Sequence, residues 1–150
     1  MPQSLVRNLM HIIFSTKNRK PLIIPTVREE LKAYLIGTLR NLESPSIEVN
    51  CVDNHVHVLC SVSRKIALMT LLEELKKTSS KWIKSKGPHL RDFYWQAGYG
   101  GFSVSQSKVP AVCKYIRQQD EHHRTVTFEE EYRAFLRKHG IDFDERYVWD

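Results

Sequence analysis

Two alternating segments separated by two residues constrain this chain more than any other feature. Ile47 to Val52 and His55 to Val62 both alternate side chains with a period of two, and Asp53-Asn54 between them tolerates the backbone of a tight turn. The expectation is a β-hairpin. Side chains alternate across a strand, so Val56, Val58, Cys60 and Val62 share one face while His55, His57, Leu59 and Ser61 share the other. The first face is the expected core, and the second is expected to be exposed.

The rest of the chain supplies partners for that hairpin. Leu9 to Ser15 reads as a strand, ended by the polar, basic stretch Thr16 to Lys20. Pro25 and Thr26 open a helix in which Thr26 and Glu29 form a capping box and Val27, Leu31, Tyr34, Leu35, Thr38 and Leu42 form a stripe. From Ile66 to Lys84, Leu68, Leu71, Leu72, Leu75, Ser79 and Trp82 follow helical spacing, with Lys77, Lys81 and Lys84 along a different side. Gly87-Pro88 breaks this helix, Gly98 and Gly100-Gly101 mark a turn, and Phe102 to Ser105 reads as a strand. Ser107 is placed to cap a helix with Val109, Val112, Cys113 and Ile116 inward; a last helix, boxed by Thr127 and Glu130, presents Phe128, Tyr132, Phe135 and Leu136 and stops at Gly140. The first six elements make βαββαβ, an α+β, ferredoxin-like antiparallel sheet with additional C-terminal helices. One domain over residues 1–150 is expected, with a core at about 7–122 and a helical extension at about 123–150. A fold of this kind hosts many functions, so function must come from the site.

Composition removes several classes. The longest apolar runs are four residues, Ala33 to Ile36 and Ile66 to Met69, far below the ~20 a membrane-spanning helix requires. The N-terminus carries no leader-like apolar stretch, and Cys51, Cys60 and Cys113 are an odd set at unrelated spacings, the pattern of free packing thiols in a reducing cytoplasm. A chain of 150 residues buries enough surface to fold without a structural metal, so any metal would be functional. The net charge of +6 divides into +10 over residues 1–119 and −4 over residues 120–150. The basic part suits a polyanion such as nucleic acid; a lysine-rich solvated exterior is the alternative.

Two sets of residues carry candidate chemistry. His55 and His57 project from one strand face with Cα atoms about 7 Å apart, close enough to converge on one cation; two surface or hydrogen-bonded histidines are the alternative. Tyr115 and Gln119 lie about 40° apart on a helix, one turn above the other, at the edge of its apolar stripe, where a plain boundary tyrosine is the competing reading. His122-His123 are adjacent and diverge on a helix, so they are not expected to form a metal pair. Glu129-Glu130-Glu131 reads as the acidic start of the last helix.

The combination resembles the HUH-type one-tyrosine transposases of small insertion sequences, including the REP-associated tyrosine transposases. The likeness rests on His55-Val-His57, Tyr115-Ile-x-x-Gln119, His11-Ile-Ile-Phe-Ser-Thr-Lys and Ser79-Ser-Lys-Trp82, and spans roughly residues 7–122. Members commonly carry an acidic residue directly before the first histidine; here Asn54 stands between Asp53 and His55. The resemblance implies that His55, His57 and Gln119 hold Mg²⁺ or Mn²⁺, and that Tyr115 forms a 5′-phosphotyrosine while freeing a 3′ hydroxyl. It also implies a substrate of single-stranded DNA with hairpins and a homodimer in which the tyrosine helix of one subunit completes the site of the other.

Lys17, Arg19, Lys20, Lys76, Lys77, Lys81, Lys84, Lys86 and Arg91 form a basic set suited to phosphate contacts, with Tyr94 and Trp95 as candidates for base stacking. Two alternatives stay open. One is a ferredoxin-like single-strand nucleic-acid-binding module without catalysis, disfavoured because the expected open face lacks aromatics. The other is a metal-dependent phosphodiesterase that uses water.

Overall fold

The computed structural model describes residues 2–150. Four strands, β1 (Leu9–Ser15), β2 (Ser46–Cys51), β3 (His55–Ser61) and β4 (Gly100–Ser103), form an antiparallel sheet in the order β2-β3-β1-β4. Five helices accompany it: α1 (Pro25–Asn41), α2 (Leu68–Lys84), α3 (Val109–Arg117), α4 (Gln119–His122) and α5 (Phe128–Lys138). This is the expected ferredoxin-like α+β arrangement. Among the described residues, no helix is long and apolar enough to cross a membrane.

α1 and α2 cover one face of the sheet. Ile12 and Phe14 of β1 and Val56, Val58 and Cys60 of β3 meet Leu31, Leu35 and Leu39 of α1 and Leu71, Leu72 and Leu75 of α2. At about 25 cal/mol per Å² of apolar surface removed from water, this aliphatic layer is the main hydrophobic contribution to the fold. Cys51, Cys60 and Cys113 are buried free thiols, and burial pushes the first two up to about 12.

The second face is not exposed. Strand alternation places His11, Ile13 and Ser15 of β1 beside His55, His57 and Leu59 of β3, and α3, α4 and α5 close over them. The apolar stripes on α3 and α5 supply the reason: Cys113 and Ile116 pack on Leu59, while Phe128, Tyr132 and Leu136 pack with Ile13 and Phe102. Gly100 permits the approach of α5, since a Cβ there would stand 3.1 Å from the Tyr132 ring.

Several local expectations shift. α1 begins at Pro25, with extended Ile24 as its cap and no side-chain cap bond, so Thr26 lies inside the first turn. Proline at the first helical position fixes φ, needs no hydrogen bond from its nitrogen and biases the residue before it to extended backbone. α2 starts at Leu68 and α3 at Val109, after a 3₁₀ turn that contains Ser107. Gly100 and Gly101 lie inside β4 opposite Ile13 and Ile12, so that strand precedes the expected Phe102 to Ser105. Thr127 does cap α5 by accepting from the Glu130 amide.

Candidate active site

Glu131 is the centre of the buried second face. It follows Phe128 by three residues and precedes Phe135 by four, so helical geometry turns it inward with the apolar stripe. Its carboxylate is 3% exposed and meets four histidines. Oε1 lies 3.0 Å from His57 Nε2, 3.5 Å from His55 Nε2 and 3.3 Å from His123 Nε2, while Oε2 lies 3.2 Å from His122 Nε2. Burial alone would raise this carboxyl; contact with His123, His55 and His57 outweighs it and holds the group below the usual carboxylate range.

Tyr115, half-buried on α3, donates its hydroxyl to Glu131 Oε2 and lies 3.3 Å from His122 Nε2. Burial and the adjacent carboxylate hold its phenol well above the ordinary value. α3 ends at Arg117, and Gln118 leaves helical geometry with φ −93° and ψ 20°, so Gln119 begins α4. The fully buried Gln119 still returns to Tyr115, donating from Nε2 to its carbonyl at 3.3 Å.

Hydrogen bonds set the direction of each imidazole. His55 Nδ1 donates to Asn54 Oδ1 at 2.7 Å, because Asn54 Nδ2 is turned towards the Arg19 carbonyl. His123 Nδ1 donates to the Val126 carbonyl at 2.7 Å. With Nδ1 donating, the Nε2 of each ring presents a lone pair when the ring is neutral and an N–H when it is protonated. Both Nε2 atoms face acceptors: Gln119 Oε1 is 3.4 Å from His55 Nε2 and 2.9 Å from His123 Nε2, with Glu131 Oε1 beside them. Burial pushes His55 down to about 4, against the pull of Glu131, whereas Glu131 outweighs burial at His123 and raises it.

A proton on Nε2 or a bound cation satisfies these converging acceptors. The His55, His57, His123 and Glu131 donor atoms lie within 4.8 Å of one another. Donors bound at 2.1 Å around one tetrahedral ion are about 3.4 Å apart, so the donor set fits a divalent cation. His57 is tied from behind by His11, whose Nε2 lies 2.8 Å from His57 Nδ1.

His55, His57, Gln119 and Tyr115 thus come together within one chain. Sequence reading missed His123 and Glu131. Divergence of adjacent histidines does not separate them here, because Glu131 offers His122 one carboxylate oxygen and His123 the other. The available signal for Glu131 was a lone acid within the Phe128, Tyr132 and Phe135 stripe.

The basic set divides. Lys76 Nζ donates to the carbonyls of Gln96, Ala97 and Gly98 at 2.6–3.2 Å, which uses its three N–H groups to tie that loop; burial lowers it to about 8. Arg19 reaches the Trp149 carbonyl and Glu129, Lys77 meets Glu74, and Lys86 meets Glu30. Lys17, Lys20, Lys81 and Arg91 are exposed. Tyr94 is 54% exposed, with Lys84 Nζ 4.1 Å and Lys17 Nζ 6.0 Å from its ring centre. Trp95 is buried against Phe14 and Phe93 and donates to Ser79 Oγ, so it offers no surface for a base.

The Y1_Tnp model, described as transposase IS200 like, matches residues 5–119. The ISDra2 transposase TnpA of Deinococcus radiodurans is 27% identical over 118 residues, which cover 74% of this chain and 83% of that protein. A candidate transposase from the same organism shares the fold with a TM-score of 0.61 at 22% identity, over 79% of this chain and 96% of that one. A REP-associated tyrosine transposase bound to a REP hairpin also gives 0.61, at 14% identity, over 84% of this chain and 74% of that one.

Proposed function

The chain belongs to the IS200-like transposase family, and from that premise we propose that it cleaves and rejoins single-stranded DNA through a 5′-phosphotyrosine on Tyr115. The observation that carries this reading is the pair of imidazoles, His55 and His123, whose Nε2 atoms face acceptor oxygens beside the site that holds the Tyr115 hydroxyl. A divalent cation held by His55, His57, His123, Gln119 and Glu131 would supply Lewis-acid charge to the phosphate oxygens. Three imidazoles favour Mn²⁺ or Zn²⁺ over Mg²⁺, which prefers oxygen ligands and retained water.

The Tyr115 oxygen attacks phosphorus as its proton passes to the touching Glu131–His122 pair and comes to rest on His122 Nε2. The P–O3′ bond breaks, and the leaving oxygen takes a proton from water to become a 3′ hydroxyl. Rejoining reverses these steps: another 3′ hydroxyl attacks the phosphotyrosine, and the tyrosine oxygen recovers its proton. Phosphodiester bond energy stays in the covalent link, so no nucleotide triphosphate is required. His11 orients His57 through its Nδ1, a support of the kind that fixes ligand direction at metal sites.

The exposed Lys17, Lys20, Lys81 and Arg91 side chains and the half-buried Lys84 are assigned to backbone phosphates, and Tyr94 to an unpaired base. Hairpin-containing DNA is the proposed substrate, as in the hairpin-bound relative. A base-reading module is disfavoured because α3 to α5 cover the sheet face such a module would use.

The test mixes the protein with labelled, hairpin-containing single strands and Mn²⁺ or Mg²⁺ and resolves products on a denaturing gel. A labelled adduct absent from Tyr115→Phe supports the reading. Cleavage that survives this substitution supports a water-using phosphodiesterase, and tight binding without cleavage supports a binding module. A homodimer with exchanged tyrosine helices is the assembly implied by the family resemblance. Mixing Tyr115→Phe chains with His57→Ala chains tests it: restored adduct formation requires a tyrosine and a histidine site from different copies.

A further inference from the structure

The ligand donors are sealed, yet a cleft reaches the tyrosine beside them. His55, His57 and Gln119 are no more than 1% exposed. A cavity of about 910 Å³ opens between β4, α3 and α5, and its floor includes Tyr115, Glu131, His11 and His122. Ala111 on α3 and Ala134 on α5 are exposed at its walls, where their small side chains leave room between the helices. The volume lies within the roughly 300–1,000 Å³ typical of small-molecule sites.

The lining has the chemistry of a nucleotide site. Val104, Val112 and Phe135 supply apolar surface, and the lining also contains Lys108 and Lys138, both exposed. The buried Phe102 stacks on Phe135 at 5.3 Å and on His139 at 4.7 Å, and so holds the more exposed Phe135 and His139 rings at the side of the cleft. Bases stack on such surfaces regardless of identity, while ammonium groups attract the adjoining phosphates. Glu130 also lines the cleft and limits its net positive charge.

We propose that the cleft between α3 and α5 holds one nucleotide of single-stranded DNA, adjoining the linkage attacked by Tyr115, with its base against Val104, Val112 and Phe135 and its phosphates at Lys108 and Lys138. The inference rests on the strand-cleavage reading. It supplies a route by which a phosphodiester reaches Tyr115 without displacement of either helix.

The experiment titrates methyl-labelled full-length protein with the dinucleotides dTpdT and dApdA, in the wild type and in Ala134→Trp and Ala111→Trp. Both tryptophan positions are exposed, and a thermal melt identifies any variant that fails to fold. Expected are shifts at the Val104, Ala111, Val112 and Ala134 methyls, and at least tenfold weaker binding in a folded tryptophan variant. Adduct formation on hairpin oligonucleotides should fall at least tenfold in the same variant. Unmoved cleft methyls at millimolar dinucleotide, or wild-type adduct formation in both folded tryptophan variants, would overturn the proposal. The two readings separate: adducts unaffected by a filled cleft sink the nucleotide site alone, whereas cleft-specific dinucleotide binding without any adduct sinks the transposition chemistry alone.

Discussion

The two faces of this sheet are built from the same strands and differ in what they bury. On the α1/α2 side, Ile12, Phe14, Val56 and Val58 meet leucines, and hydrophobic transfer favours every contact. On the α3 to α5 side, His11, Ser15, His55, His57, Gln119 and Glu131 are all 3% exposed or less. Burying such groups is costly unless they are paired, and among the described residues none of their buried side-chain nitrogens or oxygens lacks a partner. The comparison teaches a division of labour: both faces bury apolar side chains, and the second also gathers polar groups out of the reach of water. Period-two alternation makes both possible on β1 and β3.

The largest effect expected from breaking this division is at Tyr115. Tyr115→Phe should eliminate the covalent DNA adduct while the melting temperature stays within a few degrees, because only a hydroxyl on the polar face is removed; a persisting adduct would assign the nucleophile elsewhere. Leu35→Ala, fully buried on the apolar face, should cost about 2–5 kcal/mol in denaturant unfolding. The folded fraction should still bind Mn²⁺ or Zn²⁺ with wild-type affinity, and a large loss of affinity would show that the faces are not separable.

Smaller effects sharpen the contrast. Zn²⁺ at one hundred times its dissociation constant should stabilise the wild type by about 2.7 kcal/mol and raise its melting temperature, with the rise lost in His123→Ala. A shift retained in that variant would remove His123 from the cation site. His11→Phe should weaken cation binding by about 10–100-fold, as loss of a supporting hydrogen bond does. Calorimetry on His11→Gln should recover part of it, and nitrogen NMR of the metal-free protein should report a changed His57 tautomer; an unchanged tautomer and affinity would make His11 a packing residue. The smallest effect belongs to the exterior: Lys81→Ala should lower the slope of log affinity against log salt by about 0.7 on single-stranded DNA, and an unaltered slope would place the strand away from α2.

Strand period and helix stripes made the βαββαβ order legible, because they report which side of an element meets apolar surface. The same periodicity put His55 with His57 and Tyr115 near Gln119. Boundaries shifted where a local rule was overridden: Pro25 took the helix start from Thr26, and Gly100 entered a strand because it pairs with Ile13 of β1. Lys76 read as a phosphate contact because nothing in its local sequence identifies the three carbonyls that hold it.

By itself, then, the sequence determined the antiparallel sheet, its leucine-rich face and the histidine pair, all of which follow from spacing within single elements. Tertiary structure alone decided that the second face is covered and that His123 and Glu131, 68 and 76 residues beyond His55 in the chain, gather with His55 and His57 as candidate cation donors. The reason is physical: a local pattern records which way a side chain points, while the partner it meets depends on how α4 and α5 close over the sheet.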